Sequence, residues 1–465
     1  MEHVPFSIIN EYLKGKLLHP SRYCGAKYAF LKIFQHGLYY HFTKQEYKII
    51  FNYLKFPIWF QQLVYRIKAR VYGKPKKTYS LNEYVILIPD RAVLNPDGNW
   101  HSIYFDRIAE LIGKERVTTI KQVESCQIKS DFTISDFSGV YPALDTRELD
   151  VLREIKLALQ AARRSKQFSH GELKQIRSAM HIFFEEFRLY YNLLKGQPTR
   201  KILLICHYHN EGLIAASQIL GLESIEFQHG LIATNDIYYI YHEQFASVIG
   251  RGFFPDKILV YGPYWKRILE NGCEYHSPII HVAGDYLYRL AKEKLDVVEK
   301  ENIVLVCAQK NLHDDYIGYV NHLVKHAAKH PEWKVVIKLH PQEKNKEAYY
   351  PLAQLGVDIR DTETPLDMLL KRCKIHISIY STTFYDALGF DVCNFSLQQY
   401  GTMSDYAADM ISEAVALPLY LEEDPIEKYY SVKSQNITLT PREEVYSRFN
   451  PQEISVAIGL HGVNK

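Results

Sequence analysis

Cysteine is scarce in this chain and follows no pattern. Seven occur in 465 residues, an odd number with no C-x-x-C pair. That usage fits reduced thiols in a cytosolic protein better than a disulfide frame or a cysteine zinc site. Charge of one sign is also missing: 56 basic residues face 53 acidic ones. The resulting net charge of +3 is too small to imply nucleic-acid binding. Long apolar runs are absent, and no stretch reaches the ~18 residues of a membrane-spanning helix. The opening "MEHVPFSIINEYLKGKLLHP" lacks the apolar centre of a secretory leader, so a cytoplasmic location is expected. G-x-G-x-x-G, the Walker loop and H-E-x-x-H do not occur, which removes dinucleotide oxidoreductases, P-loop enzymes and zincins. No D-x-D follows a strand, so a phosphate site built on a metal ion is not expected.

One absence is local. Between Glu46 and Glu83 there is no acidic residue, while Lys48, Lys55, Arg66, Lys68, Arg70, Lys74, Lys76 and Lys77 are basic. Phe51, Tyr53, Phe56, Trp59, Phe60 and Tyr65 interleave with them. Such a segment can lie on an anionic membrane surface. It can equally be a helical subdomain with a buried aromatic face and solvated lysines. Both readings stay open.

What is present is alternation. "YVILIPD", "KILLICHYHN", "SIEFQHG", "KILVYG" and "IIHVAGD" read as strands, separated by helical patterns at "NWHSIYFDRIAELIG", Thr146–Arg164, Gly171–Lys195, "EGLIAASQILGL" and "YWKRILENG". After the polar stretch Lys292–Asn302 the alternation resumes with "NIVLVCAQK", "WKVVIKLHP", "KIHISIYS" and "DVCNFSL". Continuous apolar strands between helices imply parallel sheets covered on both faces. The expected fold is α/β, with two Rossmann-like domains facing a central cleft behind an N-terminal helical extension. The expected boundaries are 1–80 for the extension, 81–295 and 296–440 for the two domains, and 441–465 for a helix crossing back.

Ligands of such sheets bind beyond the C-terminal strand ends, and three of these ends are polar: Gln228-His229-Gly230, His340-Pro341 and Ser381-Thr382-Thr383. A histidine titrates near neutrality and suits a general base. A run of hydroxyls at a helix start suits a phosphate, and Gly230 would let the backbone turn sharply and a ligand approach. The pentapeptide Phe-Gln-His-Gly-Leu occurs at Phe34–Leu38 and again at Phe227–Leu231. Only the second copy follows a strand, so it is the site candidate and the first reads as coincidence.

"EFQHGL", "IKLHPQE" and "ISIYSTTFYDAL", in that order, resemble the GT-B transferases of bacterial surface polymers. These include capsule and polysialic-acid transferases and the CDP-glycerol glycerophosphotransferases of teichoic acid synthesis. The resemblance covers about Leu203 to Asn394. It implies His229 as base and a donor-phosphate site of His340, Pro341, Ser381, Thr382 and Thr383, with Phe384 and Asp386 matching the end of the third segment. Lys338 could support the phosphates, Glu343 could hold a ribose hydroxyl, and Arg251 could meet an acidic substrate. In the capsule members a carboxylate replaces the base, and Glu211-Gly212 is the echo of it here. Gln228 stands where the teichoic acid enzymes have Trp, and Ile379 where they have Asp.

The resemblance implies sugar transfer from a CMP- or CDP-linked donor to a glycan or lipid-linked glycan acceptor, for capsule or lipopolysaccharide synthesis. Neither a metal nor a cofactor is expected, nor a nucleic-acid partner. The expected location is the cytoplasm, where the inner membrane face is a candidate peripheral site. CDP-polyol phosphotransfer, a non-hydrolysing UDP-sugar epimerase and a non-catalytic scaffold of the assembly machinery are the alternatives.

Overall fold

The computed structural model of the protein describes residues 31–42, 54, 57–72, 79–89, 92–94, 100–102, 104–122, 128–137, 143–234, 236–240, 252–272, 278–284, 299–310, 312–341, 343–361, 363–398 and 405–460. Arg251 and the junction near residue 295 lie outside them.

Among the described residues two helices come first, α1 (Leu31–Phe42) and α2 (Ile58–Tyr72). Strand β1 (Tyr84–Ile88) precedes an antiparallel ribbon of β2 (Ala92–Leu94) and β3 (Trp100–Ser102), then α3 (Asp106–Ile112), β4 (Val117–Lys121) and β5 (Phe132–Thr133). Two long helices, α4 (Thr146–Ser165) and α5 (His170–Leu194), lead to β6 (Lys201–Leu204), α6 (Glu211–Leu220), β7 (Glu223–Phe227), β8 (Lys257–Val260), α7 (Pro263–Gly272) and β9 (Ile280–Val282). The second half runs β10 (Ile303–Cys307), α8 (His313–Ala327), β11 (Lys334–Lys338), β12 (Asp358–Arg360), α9 (Leu366–Arg372), β13 (Ile375–Ser378), α10 (Thr383–Ala387), β14 (Cys393–Leu397), α11 (Asp405–Ser412) and β15 (Leu417–Leu419). It ends with α12 (Pro425–Ser434), α13 (Arg442–Val445) and α14 (Pro451–Ala457).

The first sheet has the order β5-β4-β1-β6-β7-β8-β9 and the second β12-β11-β10-β13-β14-β15. All pairs in both are parallel. In each, the order reverses beside the first strand, which is the doubly wound Rossmann arrangement with its crevice at that switch point. Strands β1, β10, β13 and β14 are buried along their whole length, as sheets covered on both faces require.

Local chemistry starts the long helices. Asp145 with Glu148, and Ser169 with Glu172, form capping boxes at α4 and α5, each satisfying two otherwise orphaned backbone N–H groups. The buried Arg188–Glu148 pair at 2.8 Å joins these helices. "NWHSIYFDRIAELIG" is not helical throughout. Its first residues pair as β3, Ser102 Oγ accepts the Phe105 N–H at 3.2 Å, and the helix starts only at Asp106.

The first pentapeptide copy is part of the core. Phe34 and Leu38 on α1 are fully buried, and Gln35 Nε2 donates to the Ile237 carbonyl at 3.2 Å. A Cβ on Gly37 would stand 2.6 Å from the Ile176 backbone of α5, so glycine permits this helix crossing. That copy is part of a packing surface.

The last helix α14 lies against the first sheet, with Ile454, Ala457 and Ile458 in the core beside Tyr84 and Leu259. The two halves also share an apolar seam. Tyr264 and Trp265 of α7 pack with Phe384, Tyr385, Met410 and Tyr446. Across it the Tyr264 and Tyr385 hydroxyls lie 3.3 Å apart, the Trp265 indole N–H donates to the Val445 carbonyl at 3.0 Å, and Asp409 accepts from the Thr234 N–H and hydroxyl at 2.7 Å.

Candidate functional site

A cleft of about 860 Å³ opens between the two sheets at their C-terminal strand ends. His229, Gly230, Tyr208 and Tyr104 line it from the first half. His340, Ser381, Thr382, Lys310 and Arg442 line it from the second. The structure thus brings together residues spaced over more than a hundred positions of sequence.

His229 follows β7 and is half-buried. Its position is set by its neighbours: the Tyr104 hydroxyl donates to the His229 carbonyl at 2.9 Å, and the Tyr208 hydroxyl lies 3.1 Å from Nε2. Gln228 is buried and staples the turn. Its amide donates to the Gly230 carbonyl at 2.8 Å, and its Oε1 accepts the Tyr261 N–H at 3.0 Å. Gly230 does not adopt a positive φ, and a Cβ there would meet nothing within 4 Å. Sharp turning is therefore not its role. What remains is open space beside His229.

Beneath His229 lies a buried polar group that the sequence reading passed over. Glu226 of β7 is inaccessible, with His207 Nδ1 at 2.6 Å and the Tyr239 hydroxyl donating at 2.8 Å. Burial works to raise its carboxyl, but the adjacent His207 more than offsets this and holds it below the usual range. Tyr208 is thereby anchored on both sides, because it is next to His207 and stacks on Tyr238 at 4.4 Å.

On the other wall, His340 follows β11 and Lys310 follows β10. Burial, with Lys310 beside it, pulls the His340 imidazole below its ordinary value, while Glu343 opposes the shift. The Ser-Thr-Thr run divides its work. Ser381 Oγ accepts the Thr383 N–H at 3.3 Å, Thr382 faces solvent in the cleft, and no side chain caps α10. Thr383 turns inward instead, with its hydroxyl 3.0 Å from Nε2 of His376. His376 Nδ1 lies 2.9 Å from Asn394 Oδ1, whose amide nitrogen donates to the Phe384 carbonyl at 2.9 Å. Burial lowers the His376 imidazole to about 4. This neutral core chain holds the loop that presents Ser381 and Thr382.

Not every expected residue faces the cleft. Lys338 is buried and donates to the Leu339 and Asp361 carbonyls. Glu343 is buried and accepts the Asn345 N–H at 2.8 Å. Neither these two, nor Pro341 or Thr383, is among the residues lining it. Asp386 is. Lys310 and Arg442, two cations that do line it, had no motif to mark them. Arg442 is buried with its guanidinium 5.9 Å from the Phe390 ring and 5.8 Å from the Tyr446 ring.

Glu211, the carboxylate alternative, opens α6 but faces another space. Its Oε1 is 3.2 Å from His36 Nδ1 of the first pentapeptide copy. Both line a second cavity of about 390 Å³ with Glu186, whose carboxyl burial pushes up to about 8 against a backbone hydrogen bond from Gly212. Tyr208 and Tyr238 line this cavity and the cleft alike.

Two Rossmann-like domains facing one cleft are the GT-B architecture. A likeness of fold accompanies it: a UDP-GlcNAc 2-epimerase from Neisseria meningitidis, solved bound to UDP-GlcNAc, matches with a TM-score of 0.51 at 12% identity, over 81% of this chain and 100% of that one. Weaker likenesses include a UDP-N-acetylglucosamine 2-epimerase from Listeria monocytogenes (TM-score 0.48, 11% identity, 82% of this chain and 96% of that one). Another is the glycosyltransferase of kitacinnamycin (TM-score 0.45, 12% identity, 81% and 96%). No protein-family model matches the chain, and no curated protein matches it in sequence.

Proposed function

We propose that this chain is a glycosyltransferase that moves a sugar from a cytidine-activated donor, of CMP-sugar type, to a glycan acceptor. The observation that carries the reading is the placement of His229 in one cleft with His340, Ser381, Thr382, Lys310 and Arg442. A transfer needs a proton acceptor on one side and a group that holds departing phosphate on the other. His229 is the base, and the Tyr208 hydroxyl at its Nε2 marks where the acceptor hydroxyl passes its proton. His340, Lys310 and Arg442 neutralise the phosphate, and the Ser381 and Thr382 hydroxyls orient it. The choice of cytidine follows from the resemblance of the His-Pro and Tyr-Ser-Thr segments.

The acceptor belongs to capsule or lipopolysaccharide synthesis and is carried at the inner membrane face. Helix α2 supports this: Trp59, Leu63 and Ile67, four residues apart, are 64%, 46% and 52% exposed beside the exposed Arg66. Among the described residues, no helix is long and apolar enough to cross a membrane.

The test is nucleotide release from CMP-, CDP- and UDP-linked donors, with and without glycan acceptors. Acceptor-dependent release from a CMP-sugar is expected. Turnover of a CDP-polyol alone would replace sugar transfer by phosphotransfer. Epimerisation of a UDP-sugar, or no turnover of any donor, would end the proposal.

A further inference from the structure

Away from the cleft, four side chains with lone pairs converge where α8 ends and α12 begins. Asp424 Oδ2 lies 3.3 Å from His326 Nδ1 and 3.4 Å from His330 Nε2. The Asp424 side chain is only 6% exposed, and the two imidazoles are 19% and 20% exposed. None of these three atoms has a hydrogen-bond partner. A carboxylate of Glu427 comes close as well, since one donor atom each from His330, Asp424 and Glu427 all lie within 4.8 Å of one another.

The spacing is informative. A protonated imidazole bonded to a carboxylate brings nitrogen and oxygen to about 2.7–2.9 Å, shorter than either contact here. Zinc bonds of about 2.0–2.1 Å to nitrogen and oxygen place neighbouring corners of a tetrahedron about 3.3–3.4 Å apart. The 3.4 Å contact of His330 Nε2 to Oδ2 matches that edge. A buried oxygen left without a partner is costly, and a cation between these donors would remove the cost.

The support around the oxygen is fixed too. Asp424 is the N-cap of α12: its Oδ1 accepts the N–H groups of Ile426 at 2.9 Å and Glu427 at 3.4 Å. One oxygen is therefore held by the helix start while the other is presented to the histidines, as a metal-binding carboxylate is held by an outer hydrogen bond. His326 is in the last turn of α8, and His330 lies just beyond its end, where the Lys329 and His330 N–H groups donate to the His326 and Ala327 carbonyls at 3.0 and 2.9 Å.

We propose that His330, Asp424 and Glu427 bind a divalent transition-metal ion of the zinc class, with His326 beside Asp424 Oδ2 but outside the ligand set. An imidazole among the donors favours zinc, cobalt or nickel over magnesium or calcium, which prefer oxygen alone. None of the four residues lines the cleft, so the ion is a strut between α8 and α12 and takes no part in transfer.

The test uses the tag-free, chelator-treated full chain titrated with Zn(II) alone by calorimetry, and with Co(II) followed by visible absorption. One zinc per chain, a higher melting temperature and the intense visible bands of tetrahedral cobalt are expected. His330→Ala should weaken zinc binding by at least the ~10–100-fold that loss of an outer-shell partner costs. Asp424→Asn should do the same, while still capping α12 because asparagine is also a good N-cap. Magnesium should raise the melting temperature of none of the three proteins. No zinc uptake by the parent chain, or equal uptake by parent and both variants, would overturn the site. The second result would assign the metal to other histidines among the 20 present.

Discussion

At the scale of single residues, the two cleft histidines differ in what they can do. Loss of a positioned base costs about 10²–10⁴ in rate. His229→Ala should therefore slow transfer by that order while nucleotide affinity, read by calorimetry, stays near the parent value. His340→Ala should weaken nucleotide binding and slow transfer together, because a phosphate contact is lost in ground and transition states alike. If Glu211→Ala abolishes transfer and His229→Ala does not, the base lies in the second cavity. His376 gives a prediction about acid. Its folded imidazole stays neutral down to about 4, whereas the unfolded one takes a proton near 6.5. The unfolded state thus binds the extra proton between these values, and stability falls as pH drops through that window. The size is about 3 kcal/mol if the full shift holds. Melting temperatures from pH 7 to pH 4 should decline less steeply in His376→Gln than in the parent. Equal slopes would remove His376 from the acid response.

At the scale of elements, α2 bears the clearest consequence. Its row of Trp59, Leu63 and Ile67 faces solvent, so the core-helix reading of the basic segment does not describe this face. If the row rests on anionic lipid, the chain should sediment with phosphatidylserine vesicles at low salt and leave them as salt rises. Trp59→Ser with Leu63→Ser should abolish binding without lowering the melting temperature, as both side chains are exposed. Binding unchanged in that variant would remove α2 from the membrane. The elements also show which signals sequence carries. β10 (Ile-Val-Leu-Val-Cys) and β11 (Lys-Val-Val-Ile-Lys) are legible because apolar runs buried on both faces have few other homes. β4 (Val-Thr-Thr-Ile-Lys), β12 (Asp-Ile-Arg) and β15 (Leu-Pro-Leu) were missed. Their polar or proline-bearing residues are tolerated only because neighbouring strands complete the pairing. The same limit applies to "FQHGL", which is helical in α1 and a strand end after β7. Tertiary context decided between them.

At the scale of the whole molecule, alternation of strand and helix made two parallel sheets legible, and strand ends made His229, His340 and Ser381 candidates. Lys310, Arg442 and Glu226 were not legible. Their relation to the cleft depends on how the halves meet, and on which strand residue faces which loop, rather than on spacing along the chain. The cluster of His330, Asp424 and Glu427 was not legible either, because His330 and Asp424 are nearly a hundred residues apart and neither carries a signature of its own.

Trp265 joins the halves in another respect. It is 1% exposed, sits in the seam, lines the cleft and gives its indole N–H to the backbone of the other half. The chain has four tryptophans, of which Trp59 looks outward on α2 and Trp333 packs against Tyr429 and Tyr430 beside α12. An indole pinned across the floor of the cleft changes its surroundings whenever the two halves shift. The protein thus carries an intrinsic fluorophore in its seam, through which any shift of one half against the other would register without a label.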